Sequence, residues 1–405
     1  MKPLYTLLFI LIFTVKSAAQ VNDLLAPRPI DTTALPTETL YLQVNNLSFI
    51  KNNEYFNLIA DGYTLLGNKL HPQLLYKPDP HYQLKAGIWL LKYYGRDRFS
   101  EAIPTFALEI TTGKSRFYIG QLYTEDNHRL SDEIYDFERQ LDARSLENGL
   151  QHRYNSRHWQ TDTWLQWEHF IFKNDTLRER LNFGQTTTFR TQYKTWQIRI
   201  PLQIYLQHRG GQINQRGSYN AGLNNALVIT NAALGLSLYK NQIFNTKIQL
   251  GLQYQYFMYS LNSGNPEELI FTSGHAQKWA VQVRYKHWQT GVSYWLAHKF
   301  VAPKGNDMYQ SISRRVDKYL DAQNQPVNIF RYHTEPHRQL LRWNTRYQKE
   351  IFRHLQLAFA IDVYYQLNRA GVQNPAYTST VQNQLDYAMG LYLNYRFDFK
   401  LAKIK

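Results

Sequence analysis

The sequence predicts an all-β chain, folded as a transmembrane antiparallel up-and-down β-barrel of about 16 strands, with 14 and 18 as the near alternatives. Three observations predict it. Apolar and polar residues alternate over runs of roughly 10 to 15 residues, longer than the 5 or 6 typical of soluble strands and close to what a tilted membrane strand needs. The connections between runs alternate short and long, as in outer-membrane barrels with tight periplasmic turns and longer outer loops. Finally, 31 Tyr, 21 Phe and 9 Trp make the chain 15% aromatic while its mean hydropathy is −0.52, a combination that suits alternating strands better than apolar helices. A length of 405 residues admits either two or three soluble domains or one large barrel.

The elements follow in order. Residues 1–19 carry Lys2, an apolar run from Leu4 to Val15, and Ser17 and Ala19 placed three and one before a cut preceding Gln20, the layout of a secretory signal peptide. The run is too short to span a bilayer comfortably, and Lys16 closes it. Residues 20–38 hold Pro27, Pro29 and Pro36 without a period and read as an extended periplasmic lead-in. Residues 39–405 are then the barrel. About 15 runs are countable from Tyr63 onward, and an even total places one more within Leu40 to Phe49.

In KIQLGLQYQYFMY, Ile248, Leu250, Leu252, Tyr254, Tyr256 and Met258 share one face and Lys247, Gln249, Gly251, Gln253 and Gln255 the other, because successive strand side chains point to opposite sides. The same split runs through residues 197–209, 279–286, 354–368 and 385–399. A soluble sandwich would break such alternation at guarded edge strands, whereas closure removes the edges. The apolar rows therefore face lipid and the polar rows a lumen, with Trp159, Trp196, Tyr256, Tyr259, Trp288, Tyr365 and Phe397 expected in interfacial girdles.

Two long loops have helical spacing. In residues 131–144 the spacing of Leu130, Ile134, Phe137 and Leu141 predicts a short helix capped by Ser131, and Met308, Ile312, Val316 and Leu320 form a second i, i+4 stripe. Such helices would pack at the mouth or fold into the lumen.

The segments FIKNNEYF (49–56), ENGLQ (147–151), WLQWE (164–168) and HRGGQIN (208–214) resemble porin-like outer-membrane proteins of the Bacteroidetes, over most of the mature chain. That family is functionally uncharacterised. The resemblance implies an outer-membrane barrel and transfers no catalytic residue or substrate.

Charge and composition then bound the function. There is no Cys, which excludes a lipoprotein anchor, disulfides and thiolate chemistry. Cleavage after residue 19 removes two Lys and no acid, so the net charge falls from +15 to +13. The basic residues are scattered along strands, not clustered, so nucleic acid is not an expected partner. No cofactor and no metal is expected: His152, His158 and His169 match no familiar ligand spacing. Arg199, Lys247, Arg284, Lys286, Arg338, Arg342, Arg346 and Arg396, with Asp362, fall on the inferred lumen face, and Arg338, Arg342 and Arg346 stack along one wall as a ladder for anions unless Asp362 neutralises them.

The expectation is a channel in the outer membrane for small hydrophilic, anionic solutes, and not an enzyme, because a barrel of about 16 strands leaves an aqueous interior. Two alternatives stand beside it. One is a rim hydrolase acting on lipid or ester substrates, suggested by HRLSDE (128–133), which brings His128, Ser131 and Asp132 together, although triad members normally meet through the fold. The other is a non-conducting assembly or adhesion barrel. Outer-membrane lipid is the expected partner of each, and oligomeric state is left open.

Overall fold

A computed structural model describes residues 35–404 apart from 173–178, 211–225, 244–245, 264–270, 314–315, 321–325, 331–332 and 368–384. The expected signal peptide and most of the lead-in lie outside these residues. Sixteen antiparallel strands close into one barrel: β1 (Thr39–Glu54), β2 (Tyr63–Lys77), β3 (Tyr82–Tyr93), β4 (Glu101–Thr112), β5 (Ser115–Gln121), β6 (Asn148–Asn155), β7 (Trp159–His169), β8 (Arg180–Tyr193), β9 (Trp196–Arg209), β10 (Leu227–Lys240), β11 (Ile248–Ser263), β12 (Ser273–Tyr285), β13 (Trp288–His298), β16 (His337–Phe352), β17 (Leu355–Gln366) and β18 (Leu385–Lys403). The remaining two, β14 (Val316–Leu320) and β15 (Pro326–Phe330), form a separate hairpin in the connection from β13 to β16. β1 pairs with β2 on one side and β18 on the other, so no edge is left open. The expected additional strand within Leu40 to Phe49 is β1 itself.

Strand ends orient the barrel. Tight connections such as Gly113–Lys114 and Lys194–Thr195 lie on the side of both strand termini, Thr39 and Lys403, and are periplasmic. The long connections, 122–147 and 299–336 among them, leave from the outer ends.

Register sets the lipid face in rows. Across β12, β13 and β16 the outward residues run from Tyr285–Trp288–Tyr347 at the periplasmic end through Val283–Thr290–Thr345, Val281–Val292–Trp343 and Trp279–Tyr294–Leu341. Gln277–Leu296–Gln339 and His275–His298–His337 follow toward the outer end. The two aromatic rows bound an apolar band, the outward pattern of a barrel embedded in an outer membrane. Leu250, Leu357 and Leu391 face outward; Gln249, Gln356 and Asn394 face inward. Of the expected girdle, Tyr259 is a correction. It sits on the inward parity of β11, is buried, and donates its hydroxyl to the Phe271 carbonyl at 2.8 Å.

The loop helices are present but shorter than the spacing predicts. Among the described residues 122–147 carry only 3-10 turns, at Asn127–Arg129, Phe137–Leu141 and Ala143–Ser145, and the cap of the Phe137–Leu141 turn is Asp136, not Ser131. Met308, in a 3-10 turn at Asp307–Tyr309, and Ile312 are buried, but Val316 and Leu320 lie in β14, a strand. Inward aromatics explain the fold of both segments. Trp164, Tyr205, Phe257, Trp295 and Tyr364 project into the outer half of the lumen, where Leu130, Ile134, Phe300 and Met308 from the two connections cover them as one apolar cluster. Each such side chain gains about 1.5–3 kcal/mol from leaving water. The barrel is therefore filled from its outer end inward.

Candidate functional site

The filling segment 122–147 is pinned by charge as well as by apolar burial. His128, fully buried, lies flat on Trp164 of β7 with ring centroids 3.9 Å apart. Its Nε2 is 3.1 Å from Glu147 Oε2, and its Nδ1 is 3.2 Å from the Gln151 amide and 3.6 Å from Asp162 Oδ2. Burial alone would push the imidazolium down, but Glu147 and Asp162 outweigh it and hold His128 above its ordinary value. Burial would raise Glu147, yet Arg139, 2.6 Å away, and His128 pull it to about 2. The His128 backbone position is itself left-handed, at φ +51°, and Thr186 of β8 donates to its carbonyl at 3.0 Å.

Across the lumen the same segment is tied to the opposite wall. Glu138 bonds Lys51 at 3.0 Å, Asn53 at 2.8 Å, and Tyr63; Glu133 bonds Lys278 at 2.6 Å; Gln203 accepts from the Ser131 amide at 2.8 Å. The connection 299–313 joins it, with the Asn306 amide donating to the Asp132 carbonyl and the Asp136 amide to the Lys304 carbonyl. A cavity of about 80 Å³ remains beside Ser131, Asp132, Glu138, Arg342 and Asp362.

The three residues of HRLSDE do not assemble a triad. Both His128 nitrogens are engaged on the Trp164 side, whereas Ser131 and Asp132 face the cavity. The Ser131 hydroxyl has no hydrogen-bond partner among the described residues. Burial pushes the Asp132 carboxyl up to about 6, against the pull of Arg342, and its oxygens accept from the Phe137 amide and Asn306. Adjacency along a turn places alternate residues in different directions, and that separates the acid and hydroxyl from the imidazole.

Of the residues expected to line a pore, Arg199, Arg284, Arg338, Arg342, Arg346, Asp362 and Arg396 point inward, by strand parity and burial. Lys247 and Lys286 do not sit on the wall. Lys247 precedes β11 in a periplasmic turn, and Lys286 occupies the β12–β13 turn at φ +53°, with its ammonium 5.0 Å from the outward ring of Tyr285. Two acids serve the three arginines of the ladder. Arg342 and Arg346 bond Asp362 at 2.7 and 2.6 Å, Arg342 also reaches the Tyr309 hydroxyl, and Arg338 pairs with Glu335 and donates to the Met308 carbonyl. Arg396 lies 3.6 Å from Glu125 of the filling segment. Among the described residues no group of three His, Asp or Glu is placed to hold a metal ion.

Sequence reasoning missed a cleft at the outer mouth. Asn53, Glu54, Tyr55, Asn57, Asp61, Tyr63 and Thr64 line an open polar space of about 610 Å³ where β1 turns into β2. The Asn57 carboxamide oxygen accepts from the Ile59 and Ala60 amides at 2.8 Å and folds the turn, and Gly62 allows the close return because a Cβ there would meet the Asn53 carbonyl at 2.7 Å. Asp386 accepts from the Phe56 amide and ties the turn to β18. Strand parity puts Asn53 on the lumen side and Glu54 on the lipid side, so the cleft straddles the rim. The signal available in the sequence was NNEYF followed by ADGYT, a polar and glycine-containing turn between two long alternating runs.

Comparison with known proteins adds three findings. A family model described as Lipid A 3'-O-deacylase-type matches residues 30–404. Among curated proteins none matches. Among solved structures, OmpT of Vibrio cholerae aligns at 10% identity over 90% of this chain and 99% of that one, with a TM-score of 0.46. OprD of Pseudomonas aeruginosa aligns at 9% over 91% and 95%, at 0.43. An anion-selective porin from Comamonas acidovorans aligns at 9% over 89% and 99%, at 0.46. Likeness at this level adds nothing on activity. The expectation that the chain is not an enzyme is overturned by the family match, since that family is one of enzymes; the outer-membrane barrel stands, and the porin-like part of the resemblance is not confirmed.

Proposed function

This chain belongs to the Lipid A 3'-O-deacylase-type family, and on that premise we propose that it is an outer-membrane esterase that removes an ester-linked acyl chain from a glycolipid of the lipid A type. The observation that carries the reading is the filled lumen. Two inward connections, held by buried ion pairs to β1, β7 and β12 and by the Arg342–Tyr309 hydrogen bond to β16, occupy the space that a solute channel needs. What the barrel offers instead is its rim. The β1–β2 cleft opens there, with Glu54 on the side from which a lipid arrives and Asp61 exposed opposite.

Ester hydrolysis needs a base for the attacking water and a polar surround for the charge that develops on the carbonyl oxygen. In the cleft Glu54 and Asp61 are the carboxylates that can accept that proton, and the surrounding amide and hydroxyl groups exclude a purely apolar site. The test is fatty-acid release from lipid A in mixed micelles by the purified full chain. Release that falls by about 100-fold in the E54Q/D61N variant supports the reading, in line with the usual contribution of a positioned base. No release by the wild type refutes it, as does steady wild-type conductance in planar bilayers.

A further inference from the structure

A larger void lies inside the barrel, apart from the mouth cleft and on the periplasmic side of the filling segment. It has a volume of about 130 Å³, with Asn45 of β1, Lys69 of β2, Trp89 of β3 and Arg396 of β18 as its wall and Glu125 and Gln140 of the filling segment as its roof. Asn45 follows Thr39 by six residues and Arg396 precedes Lys403 by seven, which sets the wall toward the periplasmic ends of both strands. The roof is fixed. The Gln140 side-chain amide donates to the Thr124 carbonyl at 2.6 Å, and the Gln140 carbonyl accepts from the Lys69 ammonium at 2.9 Å.

Three buried polar atoms on this lining make no hydrogen bond among the described residues: Arg396 Nε, Asn45 Oδ1 and Glu125 Oε2. Arg396 is only 7% exposed, and its Nη1 lies 3.6 Å from Glu125 Oε1, beyond hydrogen-bond length. One of the three atoms donates and two accept. Because a buried polar atom without a partner carries its full desolvation penalty, the set calls for an occupant that both accepts and donates. A simple anion only accepts, and it would meet the Glu125 carboxylate. Hydroxyl groups do both. A void of this size holds roughly ten waters, close to the number of heavy atoms in one monosaccharide, and Trp89 and Leu146 add the apolar wall that ring carbons need.

We propose that this cavity binds one neutral monosaccharide, whose hydroxyl groups accept from Arg396 and Lys69 and donate to Asn45 and Glu125. Asn45 and Arg396 belong to the barrel wall and Glu125 to the filling segment, so an occupant bonded to both bridges the gap between them. A ligand that binds the seated segment and not the released one stabilises the seated form by mass action. The sugar is thus a further fastening of the filled lumen, and its binding is independent of ester hydrolysis at the rim.

The experiment titrates the purified full chain in detergent with D-glucose, D-galactose and D-mannose, reads binding by saturation-transfer NMR, and repeats limited trypsin digestion with each sugar present. At least one of the three should bind with a dissociation constant on the order of 1 mM. At about ten times that concentration it should slow cleavage after Arg139 and Arg144 by about tenfold. Asn45→Val removes one acceptor, and Ala107→Leu fills the void from β4 while leaving the three polar atoms in place. Each should weaken binding by about tenfold or more. Gln249→Ala, a lumen position outside the void, should bind as wild type. If one of the two cavity variants does not fold, the other carries the test. No transfer to any of the three sugars, or unchanged affinity in the cavity variants, overturns the proposal and leaves the void to water. Glycerol bound as tightly as the sugars overturns the argument from size, and inorganic phosphate bound more tightly overturns the argument from donors and acceptors.

Discussion

Replacing Leu391 by Arg tests the lipid face at its most sensitive level. Leu391 is on the outward parity of β18, 43% exposed, with Ile50 and Phe359 as its cross-strand neighbours. Outward Tyr387 and Tyr395 flank it four residues to either side. Four residues at about 3.4 Å and a 35–45° tilt put each ring roughly 10 Å away in height, so Leu391 sits near the midplane. An Arg there should cost about 2–4 kcal/mol. Leu250 is also outward, but it pairs with Val283, one row inside the periplasmic aromatics Tyr285 and Trp288. Its guanidinium can snorkel to the interface, so Leu250→Arg should cost only about 1 kcal/mol. Gln249 faces the lumen, hydrogen-bonded to Asn241, near the periplasmic opening, and Gln249→Arg should lie within about 0.5 kcal/mol of wild type. Equilibrium folding titrations in urea with lipid vesicles give all three. Equal costs at Leu391 and Gln249 would mean that the two faces are misassigned; equal costs at Leu391 and Leu250 would refute the depth argument while leaving the faces intact.

Asp362→Asn leaves the guanidinium groups of Arg342 and Arg346 buried without their carboxylate, and should cost about 3–5 kcal/mol in the same titration. Glu138→Ala, by contrast, removes the tie from the filling segment to Lys51 and Asn53; limited trypsin digestion should then cut after Arg139 or Arg144 faster than in wild type, and the double variant with Lys51→Met should recover part of the lost stability. His128 gives a pH test. Its value is raised on folding, so its stabilisation is complete below its ordinary value of about 6.5 and is lost as pH rises through the raised value; the urea midpoint should fall over that range in wild type and not in His128→Gln. Glu147 works in the opposite direction, stabilising above its ordinary carboxylate value and losing that contribution as pH falls through about 2.

How much of this is legible in the sequence differs by level. The strand number, the lipid rows and the periplasmic turns follow from a period of two, because burial in lipid enforces one face over the whole length of a strand. The lumen face is under no such uniform demand. In YQYFMY (254–259) the inward positions change from Gln253 and Gln255 to Phe257 and Tyr259, and β13 does the same, with Gln289 giving way to Trp295. That switch to apolar residues on both faces near the outer ends was the available sign that something packs inside. Read as girdle aromatics, it pointed outward instead. The loop helices are short for a related reason: apolar residues spaced at four in 130–141 have to meet a ring of inward side chains around them, and 3-10 turns with an Asp136 cap deliver that where one longer helical stripe cannot.

The same distinction explains why the arginines misled. Arg338, Arg342 and Arg346 do share one wall, as their spacing requires, but a stacked row of cations inside a filled barrel would be a large uncompensated desolvation cost. Asp362 stands opposite Asn344 in the register, between Arg342 and Arg346 on the neighbouring strand, and takes a hydrogen bond from each. Glu335 serves Arg338 in the same way from the loop before β16. Basic residues paired with acids on the next strand or on an inward loop, Arg342 and Arg346 sharing Asp362, act as fastenings, and they leave less field for a passing anion.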